Sequence, residues 1–168
     1  PSAKTDHSVA LEAGPQDFYR AKYRYSNTVD RHGVSINLNG TTDGGYKENS
    51  GYDQQKMTLR HDFAGVSFDS KTVLDYSNLN QETSGFISGE DAFKDNRIKR
   101  SNPNPEAFRD AWSLRLQSSV SWNLNKSNRV TLTPYLRKNE MQFLQHFLPW
   151  QPLEENGHRS LGLRSSIQ

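Results

Sequence analysis

The fold is decided by residues 109–137, which read RDAWSLRLQSSVSWNLNKSNRVTLTPYLR. Apolar side chains occupy every second position with polar side chains between them, and only Ser118 interrupts the apolar series. The series comprises Trp112, Leu114, Leu116, Val120, Trp122 and Leu124 before a turn at residues 126–128, and Val130, Leu132, Pro134 and Leu136 after it. A period of two is the pattern of a β-strand with one apolar and one polar face, so this stretch predicts a hairpin.

The strands of this hairpin are long. Strands of soluble proteins usually have about 5–6 residues, whereas a tilted strand that crosses a bilayer needs about 9–11. Trp112 and Trp122 are separated by about 25 Å along the axis of a barrel whose strands tilt by about 40°. Outer-membrane barrels carry an apolar band of that height between two aromatic girdles. A soluble sandwich strand that carries two tryptophans by chance is the alternative interpretation of the hairpin.

Composition narrows the class of protein. The chain has 168 residues, of which 32% are hydrophobic, whereas soluble domains are about half apolar. No apolar run reaches the length of a membrane helix, and the aromatic content of 11% argues against disorder. A β-structure with equal polar and apolar faces fits best. The net charge of +2 does not indicate a nucleic-acid partner, and the absence of cysteine excludes disulfides and thiolate metal sites.

Alternation along the rest of the chain predicts an all-β, antiparallel up-and-down meander of about eight strands. Beside the hairpin, strands are predicted at residues 7–13, 18–26, 33–41, 53–63, 66–78 and 159–168. In the second strand, Arg20, Lys22 and Arg24 share one face, which suits a wet lumen wall or the solvent-facing edge of a soluble sheet. The side chains predicted to face lipid are Tyr23, Ile36, Leu59, Leu74, Trp112, Leu116, Trp122, Leu132 and Leu163.

The odd-numbered connections between the predicted strands differ in length from the even-numbered ones. The first, third, fifth and seventh contain GPQD, DGGYKENSG, residues 81–108 and the stretch that follows His146, whereas the second, fourth and sixth are NTVDRH, AG and NKSN. Odd and even connections of a meander lie at opposite ends, so nearly all the long loops are expected at one end. Outer-membrane barrels have long extracellular loops and short periplasmic turns, and this asymmetry favours a barrel over a sandwich.

Four segments resemble TonB-dependent outer-membrane receptors of the ferric-siderophore type. LEAGPQDFYRAKYRYSN is similar to their first barrel hairpin, and DGGYKENSGYDQQKMTLRHDF is similar to the second, where a "DGYRENS" loop precedes a strand. SNPNPEAFRDAWSLRL and TPYLRKNEMQFLQHFLPWQPLEENGH also resemble that family. These motifs are specific for the family but not for the ligand.

The resemblance implies a 22-stranded barrel in the outer membrane of a Gram-negative bacterium. Residues 1–168 are then one partial barrel domain, without the plug or the C-terminal strands. The implied function is active uptake of a ferric siderophore or similar iron chelate, energised by the TonB complex through the missing plug segment. Outer-membrane lipid and lipopolysaccharide are the other implied partners. A passive porin-type channel and a soluble β-sandwich binding module are the alternatives.

Candidate ligand-binding residues lie in the long loops. Ferric siderophores are often anionic, so cations and aromatic rings suit a mouth that collects them. The candidates are Arg97, Lys99, Arg100, Phe86, Phe93, Phe147 and Trp150, with ordinary loop chemistry or lipopolysaccharide contact as the alternative role. No catalytic motif is present, none of the five histidines has metal-ligand spacing along the chain, and we expect neither enzymatic activity nor a cofactor.

Overall fold

The computed structural model describes residues 4–168 as one antiparallel sheet in which strand order follows chain order. Its strands are β1 (Asp6–Gly14), β2 (Phe18–Val29), β3 (His32–Asp43), β4 (Tyr52–Ala64), β5 (Phe68–Glu82), β6 (Phe108–Asn123), β7 (Arg129–Leu144) and β8 (Leu153–Ile167). Two 3-10 turns, Ala92–Lys94 and Ile98–Arg100, lie between β5 and β6. β1 pairs only with β2 and β8 only with β7, so the sheet is open. The predicted eight-strand meander is confirmed.

Cross-strand register puts the apolar residues on one face. Residues directly opposite each other in an antiparallel pair point to the same side of the sheet. One continuous row of such partners runs through Tyr25, Ile36, Leu59, Leu74, Leu116, Leu136 and Leu161. The nine residues predicted to face lipid all have the parity of this row and share its face, which we call the apolar face. The opposite side, which carries Arg20, Lys22 and Arg24, is the polar face.

The apolar residues form a band that crosses the strands obliquely. On β2 the apolar-face segment of tyrosine and alanine runs from Tyr19 to Tyr25, whereas on β8 the leucine and isoleucine segment runs from Leu161 to Ile167. The β2 segment is centred on residue 22. The successive cross-strand partners of Lys22 lead to His158 on β8, through Asn39, Lys56, Ser77, Ser113 and Asn139. The middle of the β8 segment is Arg164. The band therefore drifts by about one residue per strand.

No second layer covers either face in the described part of the chain. Among residues 4–168, the only buried hydrophobic residues are Ala92 and Ala107, while Leu163 is 65% exposed. The accessible surface is 11508 Å², compared with about 8,400 Å² for a compact globular protein of this mass. The apolar side chains therefore lie on one side of the sheet, and no other part of residues 4–168 covers them.

Several strand bounds differ from the sequence prediction. β5 begins at Phe68 rather than at residue 66, because the Gly65 amide donates to the Phe68 carbonyl and leaves Val66 in the turn, and it continues to Glu82 rather than ending at residue 78. β8 begins at Leu153 rather than Arg159, because residues 153–158 continue the ladder with β7, as in the pair Phe143 and Glu154. These residues lie beyond the apolar band, so polar side chains on both faces hide the strand from a periodicity argument. The β2–β3 turn also contains only Asp30 and Arg31, with Asp30 at a φ of 51°.

Candidate functional site

The four odd-numbered connections, three of which are long, lie along one edge of the sheet, where the strands end. Residues 15–17, 44–51, 83–107 and 145–152 connect strands at this edge, and we call them together the loop rim. The short turns at residues 30–31, 65–67 and 124–128 lie at the other edge. The order of the strands thus confirms that the odd-numbered connections share one end of the meander.

Hydrogen bonds join the four loops of the rim in sequence. The Gly44 amide donates to the Gln16 carbonyl at 2.8 Å, and the Glu48 amide donates to the Arg100 carbonyl at 2.8 Å. The Gln151 side-chain amide donates to the Glu106 carboxylate at 2.6 Å. The rim is therefore one connected layer of loops rather than four separate excursions.

Glu106 is held in its charged form at the last of these junctions. Its own backbone amide is the main cause of a lowered pKa. Burial, the second-largest effect, raises the pKa, and the side chains of Gln151 and Asn104 lower it further, so that the pKa stays below its ordinary value. An ionised Glu106 is the better acceptor for Gln151, because hydrogen bonds to a charged acceptor are stronger.

The loop 83–107 has an internal framework of polar contacts. Asn102 accepts hydrogen bonds from the amides of Gly85 and Asn104, at 3.3 and 2.9 Å, and donates to the Asn49 carbonyl at 2.9 Å. An added Cβ at Gly85 would lie 2.2 Å from the Asn104 side-chain oxygen, so a larger residue there would displace that side chain. Asp95 accepts from the amides of Arg97 and Ile98, which begins the second 3-10 turn. Side chain-to-backbone bonds thus take the place of a hydrophobic core in this loop.

The seven predicted ligand residues all lie on the loop rim, but they do not form one cluster. Arg97, Lys99 and Arg100 sit on or beside the second 3-10 turn, and the Arg100 guanidinium lies 5.6 Å from the centre of the Tyr46 ring. Phe147 packs beside the His146 ring at 5.6 Å, whereas Trp150 is 98% exposed. In the described chain, no side-chain hydrogen bond, ion pair or ring contact links any two of the seven.

The polar face contains a second candidate site that sequence reasoning did not single out. Lys22, Arg24 and Lys56 line a depression of about 410 Å³ whose other walls include Asn37 and Asn39. We call this depression the cation groove. Register explains it, because Lys22 and Lys56 both lie directly opposite Asn39 on β3. The cation row of β2 was visible in the sequence, but its meeting with Lys56 depends on strand pairing.

Some cationic side chains of the polar face form ion pairs with carboxylates and others do not. Lys22 pairs with Glu12 at 2.5 Å, and Arg60 pairs with Asp62 at 2.6 Å. Arg24 and Lys56 form no ion pair with the described residues. The cation groove therefore keeps uncompensated positive charge, which attracts anions.

No family model matches this chain, and no curated protein matches it significantly. Within residues 4–168, no helix has the length and apolar character needed to cross a membrane. The same residues contain no group of three or more histidine and carboxylate side chains arranged to hold a metal ion.

Proposed function

We propose that this chain forms part of the barrel wall of an outer-membrane receptor of the TonB-dependent type. In this proposal a longer protein supplies the remaining strands and the plug, and the complete receptor takes up a ferric siderophore or similar iron chelate. The oblique apolar band carries the proposal. Strands about 4.8 Å apart that tilt by 35–45° are staggered by about 1–1.5 residues per strand, and the band drifts by about one.

The band explains an otherwise unfavourable surface. Leucine, isoleucine and tyrosine side chains cover one face of the sheet, and no described part of the chain packs on them. A hydrocarbon environment removes that surface from water, and the ladders pair most backbone groups of the interior strands, with an interruption of the β6–β7 ladder beside Pro134, which has no amide hydrogen to donate. Lipid is a better match than a second protein sheet, since a second sheet gives no reason for the band to slant.

The polar side of the molecule supports an anionic cargo. The loop rim presents Arg97, Lys99 and Arg100 at one end of the sheet, and the cation groove presents unpaired Arg24 and Lys56 on the polar face. An iron chelate captured at the rim would meet further positive charge on the wall. Electrostatic attraction of this kind raises the local concentration of an anion and its rate of association.

A passive porin-type channel is the second candidate, because the cation groove would equally line a pore for anions. Uptake of labelled ferric chelates by cells with and without the complete gene separates the two functions. Energised uptake stops when the inner-membrane proton gradient is collapsed or TonB is deleted, whereas diffusion through a porin continues.

The membrane assignment has its own test. We expect the complete gene product in the outer-membrane fraction, resistant to extraction by alkaline carbonate and released by detergent. Recovery of the folded protein in the soluble fraction without detergent would refute both barrel functions at once.

A further inference from the structure

Two histidines from different strands meet near the short-turn edge of the apolar face. His32 opens β3 and His61 lies near the end of β4. Register places Val34 opposite His61 and His32 opposite Phe63, so the two imidazoles are diagonal neighbours on one side of the sheet. Their rings are 5.3 Å apart between centroids and inclined by only 25°.

The nitrogen atoms of the pair face each other at close range. Nδ1 of His32 lies 3.1 Å from Nε2 of His61, so one nitrogen donates a hydrogen bond to the other. Two nitrogen ligands of one tetrahedral ion, with metal–nitrogen bonds of about 2.0–2.1 Å, lie about 3.3 Å apart. The observed separation is within a few tenths of an ångström of that value, so the two nitrogens could bind one ion once both rings rotate to aim their lone pairs at it.

The surroundings favour a metal ion that is open to solvent on one side. The Phe63 ring lies 5.0 Å from the His32 ring, and Phe68 lies 5.1 Å from Phe63, which gives the pair an aromatic wall. Both imidazoles are themselves exposed. His32 is the first residue of β3 and precedes Val34, the first apolar residue of this face on the strand, so the pair lies at the short-turn end of the apolar band, where water can complete the coordination shell of an ion.

We propose that His32 and His61 form a two-imidazole binding site for a divalent late transition metal such as Zn²⁺, Ni²⁺ or Cu²⁺. Imidazole suits these ions, and a site of fixed ligands binds Cu²⁺ more tightly than Ni²⁺ or Zn²⁺. The site lies on the opposite edge of the sheet from the loop rim, so it is separate from the candidate receptor mouth. It depends on the pairing of β3 and β4 and not on the proposed transport function.

Proton balance is simple for the neutral pair. One of the two facing nitrogens carries the proton of the shared hydrogen bond, and that proton must leave before both nitrogens can bind the ion. It moves through solvent to the other nitrogen of the same ring, so the ring changes tautomer and no net proton is released.

The test uses the complete gene product, purified in detergent and stripped with a chelator. Titration calorimetry with Zn²⁺ at neutral pH should show a site whose affinity falls at least about tenfold in His32→Gln and likewise in His61→Gln, since each variant removes a ligand and even outer-shell changes cost 10- to 100-fold. His7→Gln is the matched control. His7 is exposed on the same face, but its Nδ1 faces the Tyr23 hydroxyl at 3.3 Å and not another imidazole. The Zn²⁺ affinity of the His7→Gln protein should equal that of the parent.

Spectroscopy of the unaltered protein keeps the proposal testable even where a variant folds poorly. Pulsed electron paramagnetic resonance of the protein with one equivalent of Cu²⁺ should detect two equatorial imidazoles, and His7→Gln should give the same spectrum. A parent-like Zn²⁺ affinity in either His32→Gln or His61→Gln would overturn the proposal. So would a Cu²⁺ spectrum with fewer than two imidazole ligands.

Discussion

Replacement of Leu116 by arginine tests the environment of the apolar face most directly. Leu116 lies in the middle of the row that joins seven strands, directly opposite Leu74 on β5 and Leu136 on β7. Its side chain points away from the polar face, and the residue is 41% exposed to the surroundings of the sheet. An arginine there must therefore place its charge in whatever medium covers this face.

The expected loss of folding stability depends on how deep Leu116 lies within the apolar band. Leu116 is four residues along β6 from Trp112, which corresponds to about 10 Å along the axis of a barrel tilted at 40°. In a band about 25 Å tall that position is near the midplane, where arginine costs about 2–4 kcal/mol. The folding equilibrium should therefore shift by roughly 30- to 700-fold toward the unfolded state. In water the same exposed substitution would change stability by no more than about 0.5 kcal/mol.

The assay is reversible folding of the complete gene product into phospholipid vesicles, followed by denaturant titration. Gln117→Arg is the matched control, because Gln117 is the next residue on β6 and points to the polar face, where arginine is already present at positions 115 and 137. The control should stay within about 0.5 kcal/mol of the parent. Equal stabilities of the Leu116→Arg and Gln117→Arg proteins would refute the lipid-facing assignment.

Three further outcomes are expected. Changing Arg97, Lys99 and Arg100 together to glutamine in the complete receptor should lower the association rate for an anionic iron chelate. The reduction in rate should shrink as the salt concentration rises. Stopped-flow rates equal to those of the parent at low salt would remove these residues from the site. The 168 residues expressed alone in water should aggregate, because two sheet edges and the apolar face are unprotected; a soluble, cooperatively melting monomer on ultracentrifugation would contradict this. The contact between Glu106 and Gln151 should be complete above the ordinary carboxyl pKa of 4.5 and lost as the pH falls through the lowered pKa. The loss should appear at residues 145–152 as smaller hydrogen-exchange protection factors, which are corrected for the intrinsic pH dependence of exchange; unchanged protection factors would show that this contact does not hold the loop.

The strands could be predicted from sequence because their faces are chemically distinct. Alternation at Leu114, Leu116 and Val120 marks β6 even though Ser118 interrupts it. Alternation fails where a strand leaves the apolar band, which is why periodicity predicts a loop in place of the first half of β8. There Glu154, Glu155 and Asn156 are polar on both faces, and only their pairing with β7 reveals the strand.

The candidate sites were less accessible to sequence reasoning. The rim cations could be found because Arg97, Lys99 and Arg100 are adjacent in the chain. The cation groove and the histidine pair bring together residues from separate strands, and both depend on register. Alignment of Ile36 with Leu59 would have predicted that His61 lies next to His32, but the apolar pattern alone allows shifts of two residues that would separate them.

The drift of the apolar band also divides the chain by its tolerance of length change. Within a strand, one added residue would move every following side chain of that strand to the opposite face, so that leucines would lie on the polar face and arginines on the apolar face. The short turns are nearly as restricted, because they set the register from which the slant arises. Only the loop rim can grow or shrink without disturbing either face. Insertions and deletions can therefore accumulate at one end of this sheet while the strands beneath keep their length, residue for residue.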